Sequence, residues 1–148
     1  MAKSKTTHET AETMESAFHN GAETMKNGLD TSLKGYDRMV TLAKDNTEAF
    51  IKSANVAGKG IETINNEIVS YSRKRMEDGV AAAKAMFSAR SFNEAIEMQA
   101  EYVRTAFESH VAQFSRLSQM AVETAKGAAE PISARAQAVA DLMQSEAA

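Results

Sequence analysis

The chain opens its clearest apolar pattern at Tyr36, from which Val40, Ala43, Thr47, Phe50, Ala54, Ala57, Ile61, Ile64, Ile68 and Tyr71 follow at spacings of four and three. Such a seam over five heptads predicts a helix packed on another helix, with coiled-coil character. Ile61, Ile64 and Ile68 are its strongest stretch, and with Phe50 and Tyr71 they are the candidates for helix pairing or self-association. Beyond Tyr71 the stripe drifts to Met76, Val80, Ala83 and Phe87, as it does when a straight helix slips against a seven-residue repeat. Gly58 and Gly60 interrupt the segment and mark either a hinge or a close approach of two helices.

A second helix is announced at Ser91 and Glu94, three apart, an arrangement in which each side chain satisfies a backbone amide left free at a helix start. Its apolar line runs through Phe92, Ile96, Gln99, Val103, Ala106, His110, Gln113 and Leu117, with Phe107, Val111 and Phe114 beside it. The turn at Ala89-Arg90-Ser91 is so short that this helix must return antiparallel to the first. Gly127 and Pro131 predict its end, with a short terminal helix over 132–143 presenting Ala136, Val139, Ala140 and Met143.

Upstream, residues 1–13 are rich in Thr, Glu, Lys and His and are expected to be disordered. Residues 14–35 carry Met14, Phe18, Ala22, Met25, Leu29 and Leu33 at helical spacing, with Gly21 and Gly28 weakening the helix. That segment either packs on the long helices or becomes helical on meeting an apolar surface. The organisation expected is therefore all-α: a tail over 1–13, a weakly amphipathic segment over 14–35, a long antiparallel helical hairpin over 36–130, and a short helix and tail over 131–148.

Composition supports helices and excludes several classes of chemistry. One proline, seven glycines and no tryptophan stand among 148 residues, so a sheet is disfavoured and the potential core is thin. With no cysteine there is neither a disulfide framework nor a thiolate site. The three histidines, His8, His19 and His110, lack an acid three residues before them on the same face, which a di-metal helical bundle requires. No cofactor site and no catalytic constellation emerges, and no stretch reaches the roughly 18 apolar residues needed to span a bilayer. The net charge of −3 and the isolated Arg73-Lys74-Arg75 run, followed at once by Glu77 and Asp78, argue against nucleic-acid binding. His110, near the apolar line, reads as a half-buried packing residue.

Two helices cannot by themselves cover apolar stripes this wide and this interrupted, so the face requires either further copies or an external apolar body. Nine methionines suit a surface without fixed shape. The chain resembles the phasins, bacterial proteins that coat polyhydroxyalkanoate storage granules, over about residues 36–132. The resemblance rests on Gly60-Ile61-Glu62 followed by Glu67, the Ala89-Arg90-Ser91 turn, Glu97-Met98-Gln99 leading into Tyr102, and Pro131 after the long helix. Met98 stands where many members carry leucine.

The resemblance implies a non-catalytic coat protein on polyhydroxyalkanoate (polyhydroxybutyrate) granules in a bacterial cytoplasm, controlling granule size and number. It also implies homo-oligomers and contact with other granule proteins. Met14, Phe18, Met25 and Leu29, together with Phe92, Ile96, Val103, Phe107, Phe114 and Leu117, are the residues expected at the granule surface. The competing expectation is a structural or adaptor coiled coil whose apolar face is filled by a protein partner.

Overall fold

The computed structural model describes the backbone of residues 3–147 and the side-chain exposure of residues 11–145. It contains two α-helices, α1 over Lys3–Phe87 and α2 over Phe92–Ala147, and no strand among the described residues. The chain divides into two units, Met1–Asn46 and Thr47–Ala148.

In the first unit every described residue from 11 to 41 is exposed. Local bonds support the helix there: the Thr24, Thr31 and Thr41 hydroxyls donate to the carbonyls of Asn20, Asn27 and Asp37 at 2.7, 2.8 and 2.9 Å. This is how a threonine satisfies its hydroxyl inside a helix. Helix begins at Lys3, so residues 3–13 are helical rather than disordered, and residues 1 and 2 lie outside the described residues. Extending an existing helix needs no new nucleus, and this stretch offers Ala, Glu and Lys with neither Gly nor Pro before Gly21. Residues 14–35 are continuous with the rest of α1, with no break at Tyr36.

In the second unit α1 and α2 run antiparallel, because contacts that step forward along one step backward along the other. Gly79 meets Tyr102, Tyr71 meets His110, Glu67 meets Arg116, Gly60 meets Thr124 and Val56 meets Gly127. Where they join, α1 ends on bonds from the Ser88 amide to the carbonyls of Lys84 and Ala85, both 3.1 Å, and from the Ala89 amide to Met86 at 3.3 Å. No residue needs a left-handed conformation there. The Ser91 hydroxyl accepts from the Glu94 amide at 3.2 Å, as the sequence leads one to expect. The Glu94 carboxylate reaches past Ser91, however, and accepts from the Arg90 amide at 2.7 Å. The reciprocal cap thus ties the turn itself to the first turn of α2.

α2 does not end at Pro131 and the short terminal helix is not separate; the helix continues to Ala147. Proline withholds an N–H from the Gly127 carbonyl four residues earlier, which weakens a helix interior by roughly 3 kcal/mol when nothing compensates. Here the affected turn is held from α1. The Ser53 hydroxyl donates to the Ala128 carbonyl, Val56 lies against Gly127, and Pro131 is itself half-buried.

Gly58 and Gly60 do not break α1. They differ in surroundings: a side chain at Gly58 would meet open space, whereas a Cβ at Gly60 would lie 2.7 Å from the Cβ of Thr124. Gly60 is therefore a point of close helix approach.

Candidate functional site

No described side chain is fully buried, so the line along which the helices pair is recognised by half-burial. On α1 it runs through Ala49, Ser53, Ala57, Gly60, Ile64, Glu67, Tyr71, Arg75, Asp78, Ala82 and Met86. On α2 it runs through Ala95, Met98, Tyr102, Ala106, Ser109, Gln113, Leu117, Met120, Thr124 and Ala128. Positions recur every eleven residues, as in Ala49, Gly60, Tyr71 and Ala82, or Tyr102, Gln113 and Thr124. Eleven residues in three turns gives about 3.67 per turn, close to the natural 3.6, so the line keeps to one side of a nearly straight helix.

Small and polar residues dominate this seam, and polar bonds cross it. The Glu67 carboxylate stands 3.1 Å from the Arg116 guanidinium and accepts from the Gln113 amide at 3.3 Å. The Arg75 guanidinium donates to the Tyr102 hydroxyl at 3.4 Å and lies 5.4 Å from the centre of that ring. The Tyr71 hydroxyl and His110 Nδ1 are hydrogen-bonded at 2.6 Å, their rings stacked at 5.7 Å.

The large apolar side chains lie beside the seam. A helix turns by about 100° per residue, and on that basis Phe50, Ile61, Met76 and Phe87 of α1 are displaced from the seam by roughly a quarter-turn in one sense. Ile68, one heptad beyond Ile61, is displaced equally. On α2 Phe92, Ile96, Val103, Phe107 and Phe114 are displaced in the same sense. Reversing a helix reverses both its direction and its apparent turn, so equal displacements on antiparallel helices fall on the same side of the pair. A shallow groove between the helices agrees with this placement: Ile68 and Tyr71 line it from α1, and His110, Val111, Phe114 and Leu117 from α2.

These residues are open to solvent, with Phe92, Phe107 and Phe114 at 79%, 71% and 74% exposure. Ile51, Val69, Val80 and Val122 are exceptions that stand on the far side of their helices, and Val56 points towards Gly127. The opposite flank carries charge: Lys52 with Glu48 at 2.7 Å, Lys74 with Asp78 at 3.5 Å, and Arg104 between Glu101 and Glu108 at 3.5 and 3.7 Å. The hydrogen bond and charge of Glu48 raise the Lys52 pKa above its ordinary value. Exposed pairs of this kind chiefly mark the wet face.

The family profile described as Phasin protein matches residues 37–136, two thirds of the chain. The chain belongs to the phasin family. Phasins are polyhydroxyalkanoate granule-associated proteins without catalytic activity of their own. No curated protein and no solved structure matches the chain. Among the described residues no helix is long and apolar enough to cross a membrane, and no cluster of three His or acidic residues is placed to hold a metal.

Within this phasin, Phe92, Ile96, Val103, Phe107 and Phe114 share one exposed stripe, and Leu117 sits half-buried at the groove. Met14, Phe18, Met25 and Leu29 are exposed in the first unit, where Met14, Met25 and Tyr36, and likewise Phe18, Leu29 and Val40, are also eleven apart. Of the residues assigned to pairing, Ile64 and Tyr71 lie on the seam, whereas Phe50, Ile61 and Ile68 are exposed at its edge. Met76 and Phe87 join that exposed stripe, and the drift of the pattern after Tyr71 was their signal. His110 is exposed rather than half-buried, and it is held by Tyr71.

Proposed function

We propose that this phasin coats the surface of polyhydroxyalkanoate granules and thereby controls their size and number, with Thr47–Ala148 folded as a helical hairpin that adsorbs by its apolar face. The observation that carries the reading is that exposed Phe, Ile, Val and Met side chains of both helices lie on one side of the pair, in a chain whose family is granule-associated. Phe92, Ile96, Val103, Phe107, Phe114 and Leu117 make the contact from α2, and Phe50, Ile61, Ile68, Met76 and Phe87 contribute from α1. In the first unit Met14, Phe18, Met25 and Leu29 add a narrower stripe. The same faces support self-association off the granule and contact with other granule proteins, with a coiled-coil seam of eleven-residue period inside each hairpin.

Charge favours an uncharged polyester over an anionic membrane. Helices that bind anionic lipid carry Lys and Arg on their polar face, whereas residues 91–148 hold four basic residues against eight acidic ones. The test is sedimentation of purified protein with washed polyhydroxybutyrate particles, beside phospholipid vesicles and hydrophilic beads. Saturable binding to polyester with little to vesicles is expected; protein remaining in the supernatant with all three assigns the face to a protein partner instead.

A further inference from the structure

We infer that α1 and α2 of Thr47–Ala148 dock on the granule as a closed pair, without separating; the inference rests on the granule-coat reading. An amphipathic helical pair opens on an apolar surface when opening releases apolar residues that pairing had hidden. A surface shifts such an equilibrium only by the difference in its contacts with the two states. Here that difference is unfavourable to opening. The hidden line holds Ser53, Gly60, Glu67, Arg75, Gln113 and Thr124, with Ile64, Leu117, three methionines and the rings of Tyr71 and Tyr102, whose hydroxyls are hydrogen-bonded, as its main large residues. The phenylalanines are already outside it.

Separation would also break the bonds that cross the seam. Ser53 would lose the Ala128 carbonyl, Glu67 would lose Arg116, and Arg75 would lose Tyr102. A polyester surface offers ester carbonyls as acceptors but no donors, so the Glu67 carboxylate, parted from Arg116 and Gln113, would be left there without a partner, at a cost larger than in water. The closed pair meanwhile presents both apolar stripes on one side with no rearrangement, and the charges of the other flank stay in water.

A disulfide placed opposite the turn distinguishes the two modes. The chain has no cysteine, and a Cβ at Gly127 would lie 3.1 Å from Val56 Cγ1, near the separation that a disulfide spans. In V56C/G127C the turn at residues 88–91 closes one end of the pair and the disulfide the other. Oxidised and reduced protein are sedimented with polyhydroxybutyrate particles and hydrophilic beads, with the unsubstituted chain alongside.

Closed docking predicts partitioning of the two forms equal within about twofold. A tenfold loss on oxidation that dithiothreitol restores overturns closed docking and leaves the granule-coat reading standing. Failure of the unsubstituted chain to bind particles removes that reading, and closed docking with it. A second staple, S53C/A128C, makes the same comparison one turn away and serves if the first variant does not fold.

Discussion

The seam and the outer face of Thr47–Ala148 divide the residues in the reverse of the usual order. In most helical pairs the large aliphatics meet between the helices and the small or polar ones face water. Here Gly60 meets Thr124 and Glu67 meets Gln113 inside, while Phe107 and Phe114 stand outside. The pair is held by close approach and polar bonds, which are individually weak, and its large apolar side chains are left exposed. On the granule-contact reading proposed above, stability and binding reside in different residues and can be altered separately.

The largest expected effect falls on the outer face. Fully burying a phenylalanine is worth about 1.5–3 kcal/mol, and a flat surface covers about half of each ring. Replacing Phe107 and Phe114 by serine should then weaken partitioning to polyhydroxybutyrate particles by roughly tenfold to a hundredfold. Helix content by circular dichroism should hardly change, because neither ring crosses the seam. Loss of helix in parallel with binding would show that the two regions are not separable.

A smaller effect, of the opposite kind, is expected from the two neighbouring glycines of α1. Gly58→Ala fills open space and should stabilise the helix by about 1 kcal/mol through propensity alone. Gly60→Ala gains the same propensity but drives a methyl group against Thr124, and overpacking of this sort costs about 1–3 kcal/mol. Thermal unfolding followed by circular dichroism should place the Gly60 variant below the Gly58 variant, with polyester binding of both near that of the unsubstituted chain. Equal melting of the two would mean that the helices do not approach closely at Gly60.

This glycine pair also illustrates what the sequence discloses. Helix content and the Ser91 cap were legible because each depends on local chemistry: propensity, and a hydroxyl three residues before an acid. The seam was not legible in the same way. Four-three spacing fits repeats of seven and eleven alike over short stretches, and the usual assumption that isoleucine marks the interior placed Ile61 and Ile68 there. Only the partner helix reveals that Gly60, and not Gly58, faces it. Pro131 misled for a related reason, since the bond from Ser53 and the contact of Val56 with Gly127 that accompany it come from residues more than seventy positions away.

The smallest effect concerns the charges that cross the seam. Glu67 is mostly covered, with 18% of its side chain exposed, while Arg116 retains 64%. Such a pair is neither buried nor fully screened, and removing it should cost less than about 1 kcal/mol. Glu67→Gln keeps an acceptor for the Gln113 amide and removes only the charge, so a double-mutant cycle with Arg116→Gln isolates the ionic contribution. Measured by urea unfolding, the coupling should be clearest at low salt and should shrink as ionic strength rises past about 0.15 M, where screening acts within roughly 8 Å. Granule partitioning should not follow it, because the pair lies on the flank away from Phe107 and Phe114. A coupling that instead appeared in binding would place the granule contact on the charged flank and invert the division between the two faces.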